Sequence, residues 1–188
     1  MSDHLREHLR FFTTAVRSRN IGAIAASSPF VVARVLKMVP AELNMVIEYG
    51  PGTGVMTRML IPRLSARGSY VAIEANEVFA RTLSSSPDPR LRVVHGKAEK
   101  EIVRLQHEQT SGAELVITSM PFSLMSPEKL HKIVADTHSA LLPGGSFISF
   151  HQYTPRAALP MKKIFGNVSV SFEVINLFPC FILRSKKM

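Results

Sequence analysis

Five short apolar runs recur along the chain with helix-patterned stretches between them, and this alternation constrains the fold more than any other feature. The runs are Met45-Val46-Ile47-Glu48-Tyr49, Tyr70-Val71-Ala72-Ile73-Glu74, Leu91-Arg92-Val93-Val94-His95, Glu114-Leu115-Val116-Ile117-Thr118 and Phe147-Ile148-Ser149-Phe150. Between them, helices are expected over about 55–66, closed by Gly68 and kinked or shortened by Pro62, then from Glu77 to Leu83 and from Ala98 to Gln106. A fourth runs from Pro127 to Leu142 and stops at Pro143-Gly144-Gly145. Strands that alternate with helices form a parallel sheet covered on both faces. The tail departs from this rhythm: strands at 168–174 and 180–183 are joined by a short link containing Asn176 and Pro179, so an antiparallel hairpin should finish the sheet. Ahead of the first strand, Ser27-Ser28-Pro29 opens a helix that runs to Met38 and is ended by Pro40. The expected class is α/β, a doubly wound seven-stranded sheet, mostly parallel, preceded by N-terminal helices. At 188 residues it is one domain, with residues 1–40 as a helical lid or docking segment and 41–188 as the core.

Between the first strand and its helix lies Glu48-Tyr49-Gly50-Pro51-Gly52-Thr53-Gly54, and Glu74 ends the second strand 20 residues after Gly54. Glycines let a backbone turn sharply beside a ligand, and an acid at that distance accepts hydrogen bonds from ribose hydroxyls. A dinucleotide loop counted from Gly50 would place glycine at 55, where this chain has Val55. A nucleoside cofactor without a pyrophosphate, such as S-adenosylmethionine, fits better, with its methionine end on the loop amides and Glu48 near its ammonium group.

On Glu48 to Gly54, Glu74, and Leu141-Leu142-Pro143-Gly144-Gly145 before the fifth strand, the sequence resembles the class I S-adenosylmethionine-dependent methyltransferases, whose sheet is Rossmann-like. Within them it is similar to the small bacterial phospholipid N-methyltransferases. That likeness rests on Phe11-Phe12, Ile21 to Ser28, Thr118-Ser119-Met120-Pro121-Phe122 and Phe150-His151-Gln152-Tyr153-Thr154-Pro155. The resemblance implies that Gly50, Gly52 and Gly54 line the cofactor with Glu48, and that Glu74 and Ala75 meet its ribose end. It places Gly96, Ala98 and Glu99 beside the adenine and Thr118 at the same edge. One residue departs from the pattern: many relatives carry Asp after this glycine to accept from the adenine amino group, and this chain has Lys97, which offers only donors. Either Glu99 or a backbone carbonyl accepts there, or cofactor affinity is weakened.

The acceptor is read from the ends of the fourth and fifth strands. Ser119-Met120-Pro121-Phe122 is similar to the motif Asn-Leu-Pro-Tyr of ribosomal RNA adenine dimethylases, with a hydroxyl in place of the amide and Phe122 in place to stack on a base. For an aminophospholipid, Arg156, Lys162 and Lys163 are candidates to hold phosphate, and Tyr153 or His151 to orient the amine or take its proton, with Ser119 nearby. The lysines equally fit a solubilised loop, and Tyr153 a packing residue. No metal is expected, because no cysteine or histidine spacing forms a ligand set and Cys180 is alone.

Charge bears on the same choice. Lys and Arg exceed Asp and Glu by 23 to 14, and the excess lies at the ends: six cations against two acids in 1–40, eight against three in 121–188. Leu5, Leu9, Phe12 and Val16 form a helical stripe beside Arg6, Arg10 and Arg17, a basic amphipathic helix that either docks on a lipid surface or packs on its own domain. The start of the chain lacks a secretory pattern and no apolar run reaches a membrane span, so the expectation is a cytoplasmic protein peripherally bound to an anionic or zwitterionic membrane. The leading reading is N-methylation of a lipid headgroup amine such as that of phosphatidylethanolamine. The alternatives are methylation of RNA adenine N6 or another small amine, with nucleic acid as partner, and a non-catalytic binding protein on the same fold.

Overall fold

The computed structural model describes residues 29–108, 112–152, 154–173 and 180–188. Six helices and seven strands follow in order: α1 Pro29–Met38, β1 Leu43–Tyr49, α2 Val55–Leu60, β2 Leu64–Glu74, α3 Glu77–Ser84, β3 Leu91–His95, α4 Ala98–His107, β4 Ala113–Thr118, α5 Pro127–Ala140, β5 Leu141–Gln152, α6 Ala158–Phe165, β6 Ser169–Glu173 and β7 Cys180–Lys186. The strands form one sheet in the order β3-β2-β1-β4-β5-β7-β6. The pairs from β3 to β5 are parallel, and β7 pairs antiparallel with both β5 and β6. This is the expected doubly wound, Rossmann-like sheet with an antiparallel end.

Neighbouring strand residues point to opposite faces, so the apolar runs feed two cores. Ile47, Val71, Val116, Phe147 and Leu183 meet α4, α5 and α6 through Ile102, Ile133 and Met161. Val46, Tyr70, Leu115, Ile148 and Ile182 meet α1 and α2 through Val35 and Leu60. The buried Tyr49 hydroxyl lies 3.0 Å from Thr137 Oγ1, whose own proton goes to Ile133 O at 2.6 Å, so the tyrosine donates. Tyr49→Phe should therefore cost about 1 kcal/mol, and Thr137→Val about 2 kcal/mol because it strands the phenol without an acceptor. Urea unfolding of the two variants checks that order.

Several expected boundaries move. The helix expected to run to 66 ends at Leu60, followed by a 3₁₀ turn over Ile61–Arg63, because Pro62 lacks the N–H that would continue it. Gly68 is thus not a helix stop: it lies inside β2, where Leu43 pairs Leu64 but Met45 pairs Ser69, so the intervening residues bulge out. Arg63 fills the space below, donating to Leu36 O at 2.7 Å and Val39 O at 3.1 Å, carbonyls at the end of α1. Likewise α5 ends at Ala140 rather than Leu142, since Leu141 is already extended, and residues 142–145 bulge with Gly144 at φ 82. Helix α6, absent from the sequence reading, replaces an expected loop at Lys162 and Lys163. Pro160 reads as a breaker but sits in the first turn, where no N–H is needed, and Gly166 caps the helix at φ 73. The final strands are Ser169–Glu173 and Cys180–Lys186; residue 174 and the connecting link lie outside the described residues, as do the basic amphipathic stripe and everything else in 1–28.

Candidate functional site

The strand order reverses between β1 and β4, and a crevice opens at the carboxyl ends of the strands beside that point, where doubly wound sheets take ligands. A cavity of about 170 Å³ lies there, lined by Gly50 after β1, Ile73 and Glu74 at the end of β2 with Ala75 after it, Gly96 and Ala98 after β3, and Ser119, Met120 and Pro121 after β4. Six of the residues named from sequence, Gly50, Glu74, Ala75, Gly96, Ala98 and Ser119, are thereby brought together.

The loop between β1 and α2 turns through three glycines in the left-handed region, at φ 64, 55 and 75 for Gly50, Gly52 and Gly54. At Gly50 a Cβ would stand 2.9 Å from Met120 Cγ, and at Gly54 it would stand 2.4 Å from Leu83 Cδ2. Gly50 therefore holds open the wall shared with Met120, while Gly54 lets α3 close behind the loop. Glu74 ties the loop down: its Oε2 accepts from Gly52 N at 2.9 Å and its Oε1 from Asn76 N at 2.7 Å. Asn76 in turn caps α3, accepting from Val78 N and Phe79 N. The sequence reading assigned Glu74 to a ribose and passed over Asn76, although Asn before Glu77 is itself a helix-start signal.

Glu48 lies beneath the loop rather than on the cavity wall, 3% exposed, with Thr57 Oγ1 and Tyr70 Oη both donating to its Oε2. Burial is the main cause that pushes its carboxyl up to about 7, reinforced by the nearby Glu74 charge and opposed by the two hydroxyl donors. Thr118 is also internal: its hydroxyl donates to Tyr49 O at 3.1 Å and accepts from Met120 N at 3.0 Å, which sets the turn that places Met120 against the glycine loop.

At the β3 end, His95 Nε2 lies 3.2 Å from Ala75 O and Gly96 N donates to Glu74 O at 2.9 Å. Lys97 precedes the first turn of α4 without capping it through its side chain, and Glu99 is half-buried outside the cavity wall. Gly96 has a neighbour that sequence spacing did not point to: a Cβ there would stand 2.7 Å from Cγ and Oε1 of Glu101.

On the acceptor side, Ser119 Oγ donates toward Gly50 O at 3.4 Å, so it faces the loop. Phe122, expected as a base-stacking surface, is fully buried in the core and packs edge-on against His151 with ring centroids 5.7 Å apart. The 3₁₀ turn Phe122–Leu124 carries it inward and leaves Leu124 outside. His151 is 7% exposed at the end of β5, its Nδ1 3.1 Å from Ser149 Oγ and its Nε2 buried without a hydrogen-bond partner among the described residues. Burial lowers its pKa from 6.5, with the Thr154 backbone working against the shift, so the ring is neutral at pH 7. Arg156 Nη1 donates to Ser123 O at 3.1 Å and so joins the two acceptor-side connections, while Lys162 turns back to Gly166 O. Tyr153 lies outside the described residues. Burial raises Cys180 to about 11, as for an inert thiol. Among the described residues, no group of three or more His, Cys, Asp or Glu is placed to hold a metal, and no helix is long and apolar enough to cross a membrane.

The donor set fits a nucleoside cofactor. Gly50 and Gly96 leave space that a side chain would fill, and an acid stands between them at the end of β2. The sequence profile of the ribosomal RNA adenine dimethylase family matches residues 26–120, just over half of the 188. An ornithine lipid N-methyltransferase of Singulisphaera acidiphila is 25% identical over 162 residues, 85% of this chain and 84% of that protein. By structure, the N-methyltransferase NodS of Bradyrhizobium japonicum, in complex with S-adenosylhomocysteine, superposes at TM-score 0.64 with 11% identity over 95% of this chain and 97% of that one. Spermidine synthase of Thermotoga maritima superposes at 0.59 with 14% identity over 78% of this chain, which spans only 54% of that protein's length. The glycine loop, the acid that ends β2 and the matched profile agree, and the chain belongs to the ribosomal RNA adenine dimethylase family of S-adenosylmethionine-dependent methyltransferases.

Proposed function

We propose that this methyltransferase acts on the amine of a lipid headgroup, working at a membrane surface from the cytoplasmic side. The observation that carries this reading is the acceptor end of β5, where, among the described residues, the Phe122 ring is turned into the core against a buried, neutral His151. The similarity to an ornithine lipid N-methyltransferase runs over 85% of the chain and so includes this end, whereas the dimethylase profile stops at residue 120, before Pro121 and Phe122.

When bound, S-adenosylmethionine supplies a methyl carbon whose bond to sulfur breaks, with both electrons left on sulfur, as the carbon–nitrogen bond forms. The residues of the chain bind, orient and handle the proton. Glu48 is proposed to face the ammonium group of the cofactor, Gly50, Gly52 and Gly54 to receive its methionine end, and Glu74 and Ala75 its ribose. An ammonium cannot attack a methyl group, so the site must favour the free amine, and the apolar wall of the crevice at Met120 and Pro121 does so by desolvation. Once nitrogen carries the new methyl group it sheds one proton. His151 takes it at Nε2 when its Nδ1–H donates to Ser149 Oγ, the tautomer that leaves the Nε2 lone pair free. Arg156 supplies positive charge at the acceptor-side connections, suited to an anionic headgroup or surface.

The test is transfer of labelled methyl to vesicles containing phosphatidylethanolamine or ornithine lipid, run beside ribosomal RNA. Label in lipid supports the proposal; label in RNA with none in either vesicle overturns it in favour of adenine methylation. His151→Phe, which keeps the ring packing, should lower turnover by roughly 10²-fold or more while leaving S-adenosylhomocysteine binding unchanged. In the wild type, activity should fall as pH drops through a value below 6.5, where His151 gains its proton.

A further inference from the structure

We propose that Glu101, rather than Glu99 or a backbone carbonyl, is the acceptor for the 6-amino group of the cofactor's adenine. Four observations converge on it. Lys97, at the position after Gly96, presents only donors, and its side chain is exposed. Glu99 and Glu101 are two residues apart on α4 and so point to different faces of the helix, and it is the Glu101 carboxylate that folds over Gly96. The fit is close: a Cβ at residue 96 would stand 2.7 Å from Glu101 Cγ, 2.8 Å from Cδ and 2.7 Å from Oε1. Gly96 itself lines the cofactor cavity, so no side chain at that position separates the carboxylate from the cleft.

The fourth observation is that the carboxylate has capacity to spare. Its buried Oε2 lies 3.2 Å from Arg104 Nε as an ion-pair partner, which anchors the carboxylate, while Oε1, the oxygen over Gly96, accepts no hydrogen bond among the described residues. A free lone pair on a carboxylate held in place by an ion pair, at the Gly96 wall of the cavity, is positioned to accept from a donor on the ligand. An exocyclic amine carries two N–H donors and suits it; a 6-oxo base in the same place would set oxygen against carboxylate. Gly96 therefore has a second use besides turning the strand into the helix: it is the gap through which a residue from the next turn reaches the base. The acid that relatives carry directly after this glycine is, in this chain, four positions further on.

The experiment is calorimetry on the full chain with S-adenosylhomocysteine and with S-inosylhomocysteine, which differs at the 6-position. The wild type should prefer the adenosyl ligand by roughly 10-fold or more, the range for one hydrogen bond to a charged acceptor. Glu101→Ala should reduce that preference to about threefold or less by weakening only the adenosyl ligand. Gly96→Ala, whose methyl displaces the carboxylate, should do the same. A merely structural role would weaken both ligands alike and leave the ratio intact. If Glu101→Ala does not fold, the isosteric Glu101→Gln is read in its place, with an expected fall in the ratio of at least threefold. A wild type that binds both ligands equally, or a folded variant that keeps the wild-type ratio, overturns the proposal.

Discussion

Replacing Glu48 with Gln should flatten the pH dependence of stability and cost the protein most of its cofactor affinity. The group's folded pKa, about 7, lies above its ordinary 4.5, so its favourable contribution is complete below 4.5 and is lost as pH rises through 7. Between those limits the wild type should lose about 3 kcal/mol, because the carboxyl ionises freely in the unfolded chain while burial keeps it protonated in the folded one. The amide cannot ionise, so the variant keeps a level stability across the same range and overtakes the wild type near pH 8. Thr57 and Tyr70 still find an oxygen to donate to. Binding should respond the other way: without the carboxylate, affinity for S-adenosylhomocysteine should fall roughly 10- to 100-fold, the range for a charge-assisted contact. Urea unfolding at intervals from pH 5 to 8.5, together with calorimetry at pH 7.5, measures both. A wild type whose stability is level over that range would show that Glu48 is ionised throughout it, with no upward shift on folding.

The second large effect is expected at Gly54. Alanine there meets two penalties: a left-handed backbone at φ 75, which costs an ordinary residue about 1–2 kcal/mol, and a Cβ 2.4 Å from Leu83 Cδ2, an overlap costing about 1–3 kcal/mol more. The two can be separated. Shortening Leu83 to alanine in the Gly54→Ala background removes the overlap but leaves the backbone strain, so part of the loss caused by the second site should be missing from the double variant. Thermal unfolding of the two single variants and the double variant gives the coupling; strict additivity would mean that Leu83 moves aside without cost. Binding of S-adenosylhomocysteine should weaken in Gly54→Ala even where the protein remains folded, since the loop that carries Gly50 and Gly52 shifts with it.

Much of this could be read from the residues because it rests on short-range rules. Valine and isoleucine runs bounded by glycine and proline located all seven strands, and the loop from Gly50 to Gly54 with Glu74 marked the switch point without knowledge of strand order. What escaped depends on register and on three-dimensional neighbours. Gly68 has the look of a helix stop, yet its role comes from a slip between β1 and β2 that no local pattern encodes. Helix α6 went unread, although Ala157, Met161 and Phe165 recur at intervals of four and are all buried. Phe122 follows a motif similar to one whose aromatic meets a base, but the 3₁₀ turn directs its ring into the core. Glu99 is the nearer acid to Lys97 in sequence, but the side chain that lies over Gly96 is that of Glu101, a neighbour set by the helical turn.

The clasp made by Glu74 has a thermodynamic corollary. Its two oxygens hold the amides of Gly52 and Asn76, so two successive strand-to-helix turns are fixed relative to each other before any ligand is present. A loop with three glycines would otherwise be the most entropically expensive segment of the chain to order on binding. Here that ordering has been shifted from the binding step into folding, so the site is preorganised: association should be limited by diffusion and desolvation rather than by loop closure, and ligand binding should leave amide exchange of Gly52 little changed.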